Sequence, residues 1–247
     1  MKKFVTAVAM AAIVGINSIT YAGFGLPSVP KVPAIGGSSA SKSEEAAKPI
    51  DISGLTSKQS RVVKMMSAAL VASATANVEL NNALGKNTDG ITEAVNLVKS
   101  SPDNINNLKK LDKEIKANEA SSKEFEAISN GTEVQKSALK SAMEKASYYR
   151  WASYRCFGLA ADASAGMVKE AGDALKSTKD FNQISKIKNV MDTGKLAASL
   201  FDESKKQFDL YDKNAAAAKQ KLDVKEAKSD DAAVKDILAQ MQDGFGF

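Results

Sequence analysis

From Val134 to Leu175, apolar or small side chains recur every three or four positions without interruption. Val134, Ala138, Ala142, Ala146, Tyr149, Ala152, Cys156, Leu159, Ala163, Met167, Ala171 and Leu175 share one face at helical spacing. A strand alternates with period two and could not bury this set, so the stretch predicts one long helix. A turn near 177–179 separates it from a second stripe. That stripe runs through Phe181, Ile184, Ile187, Met191, Gly194, Ala198, Phe201, Phe208, Tyr211, Ala215, Ala218 and Leu222. Its mean spacing approaches the seven-residue repeat of supercoiled helices, but Lys205 and Asp212 break strict heptads. Bundle packing is expected rather than an autonomous coiled coil. At about 1.5 Å per residue, each unbroken helix spans roughly 60–70 Å. The expected fold is all-α: an elongated antiparallel helical bundle with two long helices forming a hairpin.

Shorter helices are expected before and after the hairpin. Thr56 with Gln59 fits a capping box, opening a helix that ends near Leu84 before Gly85. A short helix is read over 91–99. Ser101-Pro102 then opens another, whose buried side carries Ile105, Leu108, Leu111, Ile115, Phe125 and Ile128 until Asn130-Gly131 stops it. Thr132 and Gln135 form a second capping box. A last helix over 230–242 takes Ser229 as its cap. With few aromatics, close approach must come from small residues. Ala160, Ala161, Ala163 and Ala165 beside Gly158 and Gly166 offer a nearly bare surface, where leucine at Ala163 would overpack a crossing.

The beginning of the chain points to export. Lys2 and Lys3 precede an uncharged apolar run, and Thr20 and Ala22 place small residues at a cleavage site, so 1–22 reads as a signal peptide. A periplasmic or secreted protein is expected. Residues 23–54, with Pro27, Pro30, Pro33 and Gly36-Gly37-Ser38-Ser39, read as a flexible Pro/Gly/Ser-rich segment. The bundle then occupies 55–242 as a single domain, and 243–247 reads as a flexible tail.

The chain contains no histidine. Histidine-based triads, HExxH zinc sites and Glu-x-x-His di-iron sites are therefore excluded. Cys156 is the one cysteine, so no internal disulfide can form, and it is read as a small buried hydrophobe. No catalytic residue, metal ligand or cofactor is expected, and the chain is not read as an enzyme. The net charge of +5 includes the two leader lysines. That bias is too weak to argue for nucleic acid.

The strongest local anomaly is 148–157, YYRWASYRCF, which holds two of three arginines, the lone tryptophan and three of five tyrosines. Tyr148, Arg150, Trp151, Tyr154 and Arg155 are the candidate interface residues. Trp, Tyr and Arg dominate binding hot spots because each joins a large contact area to a polar handle. The alternative is a helix buried on several sides, its arginines needing acidic partners. Trp151 with Arg155, and Arg150 with Tyr154, are spaced to stack.

The run 65–78, MMSAALVASATANV, is uncharged but shorter than the roughly 20 residues a membrane span needs, so it reads as a core helix. The expected function is binding of a protein partner in the envelope or outside the cell. Such a protein would serve as envelope scaffold, export or surface-assembly accessory, or holdase-like chaperone. Self-association and membrane contact are compatible with the composition. The alternative is a membrane-active, pore-forming or toxin-like protein that inserts a helical hairpin into lipid.

Overall fold

The computed structural model describes residues 52–247, so the expected signal peptide over 1–22 and nearly all of the 23–54 segment lie outside the described residues. The described residues form seven helices and no strand. In order they are α1 (Ile52–Ala83), α2 (Asp89–Ser100), α3 (Ile105–Ala117), α4 (Ser122–Ser129), α5 (Glu133–Ser177), α6 (Phe181–Leu222) and α7 (Ala232–Phe245). The all-α bundle and its long hairpin are as the stripes predict.

The frame is a trio of α1, α5 and α6. Ion pairs Lys58–Glu170 at one end and Lys145–Glu79 at the other run α1 antiparallel to α5. Gln59 donates to Thr193 Oγ1 at 2.8 Å, and Leu80 shares a cluster with Tyr211 further along both helices, so α1 runs parallel to α6. The helices α2 and α3 cover α1, α4 lies on α6 and α5, and α7 lies on α5 and α1. The uncharged 65–78 run sits at the centre: Met66, Ala68, Ala69, Ala72 and Ala74 are fully buried. None of the described helices is long and apolar enough to cross a membrane.

Several boundaries differ from the sequence expectation, each for a local reason. Thr56 does not open α1; the helix is already formed at Ile52, and Thr56 Oγ1 donates one turn back to Ile52 O. Ser101-Pro102 is a turn, and Asn104 caps α3 by accepting from Asn106 N at 3.0 Å. The expected continuous helix to Ser129 is two helices. Ser121 and Glu124 form a complete capping box that starts α4 afresh. The break at 118–121 is held from outside: Asn81 donates to Asn118 O and Asn214 to Ala120 O, both at 3.0 Å. The Thr132–Gln135 box opens α5 as read. Gly85, at φ 71°, ends α1 in the left-handed region that glycine tolerates. Ser229 is not the cap of α7; Asp231 is, and α7 continues past Gln242. In place of a flexible tail, Phe245 and Phe247 lie against the main core.

The small-residue surface is real but rotated from the predicted line. Ala160, Ala161 and Ser164 are buried, whereas Ala163 is half-buried, so leucine at Ala163 is the weaker overpacking probe. On the facing helix, a Cβ added at Gly194 would overlap Val168 Cγ2. Gly194→Ala is therefore expected to lose a net of about 1–2 kcal/mol, overpacking outweighing the gain in helix propensity. Adding Val168→Ala should recover part of that loss, and a thermal-unfolding double-mutant cycle reads the coupling.

The buried apolar residues fall into two clusters. The larger joins α1, α2, α3, α5, α6 and α7, and the smaller joins Leu80, Phe125, Leu139, Met143, Tyr211 and neighbours where α4 packs. A polar seam lies between them.

Candidate functional site

The aromatic–arginine segment lies on α5, at the height where α6 and the 223–231 connection both pass over it. Trp151 Nε1 donates to Ala227 O at 2.9 Å, and Arg155 donates to Ser229 O at 3.1 Å. Two further α5 residues hold the same connection: Ser147 Oγ accepts from Ala227 N at 2.8 Å, and Glu144 accepts from Lys225 N at 3.2 Å. Positions 144, 147, 151 and 155 lie on one helical face, while 225 and 227 alternate along the irregular stretch 224–228 and 229 stands in the turn before α7. The connection is thus a strap read through its main chain.

Arg150 turns toward α6. Its guanidinium donates to Phe208 O at 3.2 Å and lies 3.6 Å from the Tyr211 ring centroid and 4.3 Å from that of Phe208. Backbone carbonyls and ring faces thus contribute to the surroundings of this half-buried cation. Arg150 meets Tyr211 and Phe208, and Arg155 reaches the strap. Tyr154 packs between Phe201 and Phe208 at 5.4 and 5.6 Å and edge-on to Trp151 at 6.1 Å. Burial pushes the Tyr154 hydroxyl above its ordinary pKa, and the Asp209 charge adds to this. Tyr148 is half-buried against the larger cluster. The structure therefore brings all five candidates onto one stretch of α5, with three polar handles directed at the chain's own backbone.

Cys156 is fully buried two positions beyond Tyr154. Burial raises its thiol to about 12, against a small opposing pull from Arg155. The native protein is expected to resist iodoacetamide at pH 8 and to be alkylated only after denaturation, because the thiolate is the nucleophile. Mass spectrometry before and after denaturation checks this.

Sequence reasoning missed a second feature, a cavity of about 50 Å³ at the seam between the two apolar clusters. Asn77 and Asn81 of α1, Glu119 of the α3–α4 break, Arg150 and Ser153 of α5, and Gln207 of α6 contribute to its walls. Asn81 is 1% exposed, and its Oδ1 has no hydrogen-bond partner while its amide donates to Asn77 Oδ1 and Asn118 O. Burial raises the Glu119 carboxyl above its usual range, opposed by the positive charges of Arg150 and Lys116. Only Arg150 among these residues carried a sequence signal.

Comparison with protein-family models, with curated proteins and with solved structures finds no match for this chain.

Proposed function

We propose that this is an exported, non-enzymatic scaffold that works by holding another protein at the turn end of its α5–α6 hairpin. The observation that carries the reading is Phe181. The apolar stripe would bury it, yet it stands 82% exposed at the first position of α6. Exposed Asp173, Lys176, Lys179 and Asp180 surround it in sequence. An aromatic anchor within a rim of both charge signs matches the anatomy of protein-binding hot spots. Mixed charge favours a protein over an anionic bilayer, which would call for a uniformly basic rim. The long hairpin supports the reading by carrying that end far from the opposite end of the bundle.

A photo-crosslinking amino acid at position 179, introduced into the protein in its native cells, tests this. One discrete adduct is expected, identical when the probe stands at 181 and absent when it stands at 134. Phe181→Asp should abolish the adduct from position 179 without moving the unfolding midpoint, since an exposed side chain contributes little to stability. No discrete adduct, or an adduct unaffected by Phe181→Asp, sinks the reading. Binding to anionic phospholipid vesicles that Phe181→Asp abolishes, with no protein adduct, transfers it to the membrane-active alternative. Cell fractionation checks export separately.

A further inference from the structure

Asn130 is the one asparagine of the chain that is followed by glycine. Its side-chain carbonyl carbon, Cγ, is electrophilic, and the nitrogen of the next residue is a nucleophile placed to close a five-membered ring with it. A side chain on that next residue crowds the approach, and glycine has none. The fold adds conditions of its own. Asn130 is exposed in the joint where α4 ends and Thr132 caps α5, so water can enter and ammonia can leave. Lys221, near the end of α6, donates through Nζ to Asn130 Oδ1. A cation on that oxygen draws electrons from Cγ and stabilises the negative charge that develops on the oxygen during attack. The nucleophile is held by one terminal bond: the Gly131 N–H donates to Ile128 O at 3.0 Å, beyond the last residue of α4, where a helix frays. Asn130 stands at φ −98° and ψ −2°, so the 130–131 peptide must swing before its nitrogen meets Cγ. Glycine eases that swing because it admits most backbone conformations.

From these conditions we infer that Asn130 is a modification site, converting without an enzyme to aspartate and isoaspartate with assistance from Lys221. The Gly131 nitrogen gives its proton to solvent base and bonds to Asn130 Cγ. The Cγ–Nδ2 bond then breaks, and Nδ2 leaves as ammonia with a proton taken from solvent. Water adds to either carbonyl of the cyclic imide. Opening one C–N bond gives aspartate, and opening the other gives isoaspartate, in which the main chain runs through Cβ and Cγ. Either product places a carboxylate beside Lys221 and turns the hydrogen bond into an ion pair. It also sets negative charge at the C-terminal end of α4, where the helix dipole disfavours it. Isoaspartate further lengthens the main chain by a carbon atom just ahead of the Thr132 cap. The joint that holds α4 is thereby altered with time. Asn130 precedes α5 and Phe181 follows it, so the site lies at the other end of that helix and stands or falls separately from the protein-binding reading.

The full processed chain, incubated in its folded state in mildly alkaline buffer and mapped by mass spectrometry, provides the test. Each conversion exchanges the mass of NH for that of O. Asn130 is expected to convert ahead of Asn87, which is also exposed but is followed by Thr88. Isoaspartate should appear beside aspartate, read by isoaspartate-specific methylation. Lys221→Met should slow the folded protein about tenfold, the worth of one charge-assisted contact, and Lys221→Arg should restore the rate. In urea, where residue 221 has no hold on residue 130, the three proteins should convert alike. Circular dichroism checks that both variants fold. If the denatured chain converts fully while the folded chain shows no conversion at 130, the inference is overturned. A folded rate indifferent to Lys221→Met overturns it too, since only the Asn-Gly sequence would then be acting. So does a Lys221→Arg protein as slow as Lys221→Met.

Discussion

Trp151→Ala is expected to lower the unfolding free energy by about 3 kcal/mol, at the lower edge of the range for removing a large aromatic from a packed site. The indole is half-buried, which keeps the figure from the top of that range. Three contributions combine. The ring leaves Tyr154 and Phe208, both 6.1 Å away by centroid. The Ala227 carbonyl loses its donor. The strap that carries α7 then hangs on fewer bonds. Trp151→Phe separates these effects: it keeps most of the ring contact and should cost only about 1 kcal/mol, near the net value of one hydrogen bond. Urea unfolding of both variants reads the difference. Unchanged stability in Trp151→Ala, with loss of a captured partner, would instead restore the aromatic–arginine segment as a docking face.

Phe125→Ala should be comparably severe, about 3–5 kcal/mol. The helix α4 has only eight residues, too few to be stable alone, so it survives by what it buries. Phe125 is fully buried and meets Tyr211 edge-on at 5.9 Å. No comparably large fully buried side chain anchors α4. Native-state hydrogen exchange should show amides of 122–129 opening first, before those of α1. Uniform acceleration across the chain would mean that α4 and the larger cluster unfold as one unit.

Much of the fold is legible in the sequence because helical periodicity repeats over many turns and averages out local error. The long helices, the Thr132–Gln135 box, the Gly85 stop and the burial of Cys156 are all of this kind. The buried line of α5 departs from the stripe that the spacing predicts. Val134, Ala138 and Leu159 are exposed, while Leu139, Met143 and Phe157 are buried. The reason is that α5 changes partners along its length. The helix α1 lies along α5 at both ends, but α4 joins it at the beginning of α5 and the strap and α7 join it further on, so the buried line shifts around the helix. The α3–α4 break carries a sequence signal in Ser121 and Glu124, but the apolar spacing through Phe125 and Ile128 masks it. The seam cavity is different in kind. Asn77, Glu119 and Gln207 look like ordinary surface residues, and only tertiary packing brings them to Arg150. No spacing rule along one helix can announce a site assembled from four elements.

The strap over α5 also bears on which future sequences this architecture can accept. Glu144 and Ser147 grip amide hydrogens, and Trp151 and Arg155 grip carbonyl oxygens, so the grip itself reads no side chain of the strap. Permissiveness is confined to the exposed position 225, because Ala227 is buried in the larger cluster and must stay small, and Glu226 pairs with Lys219. Proline at 225 is the exception, since it deletes the very hydrogen that α5 holds.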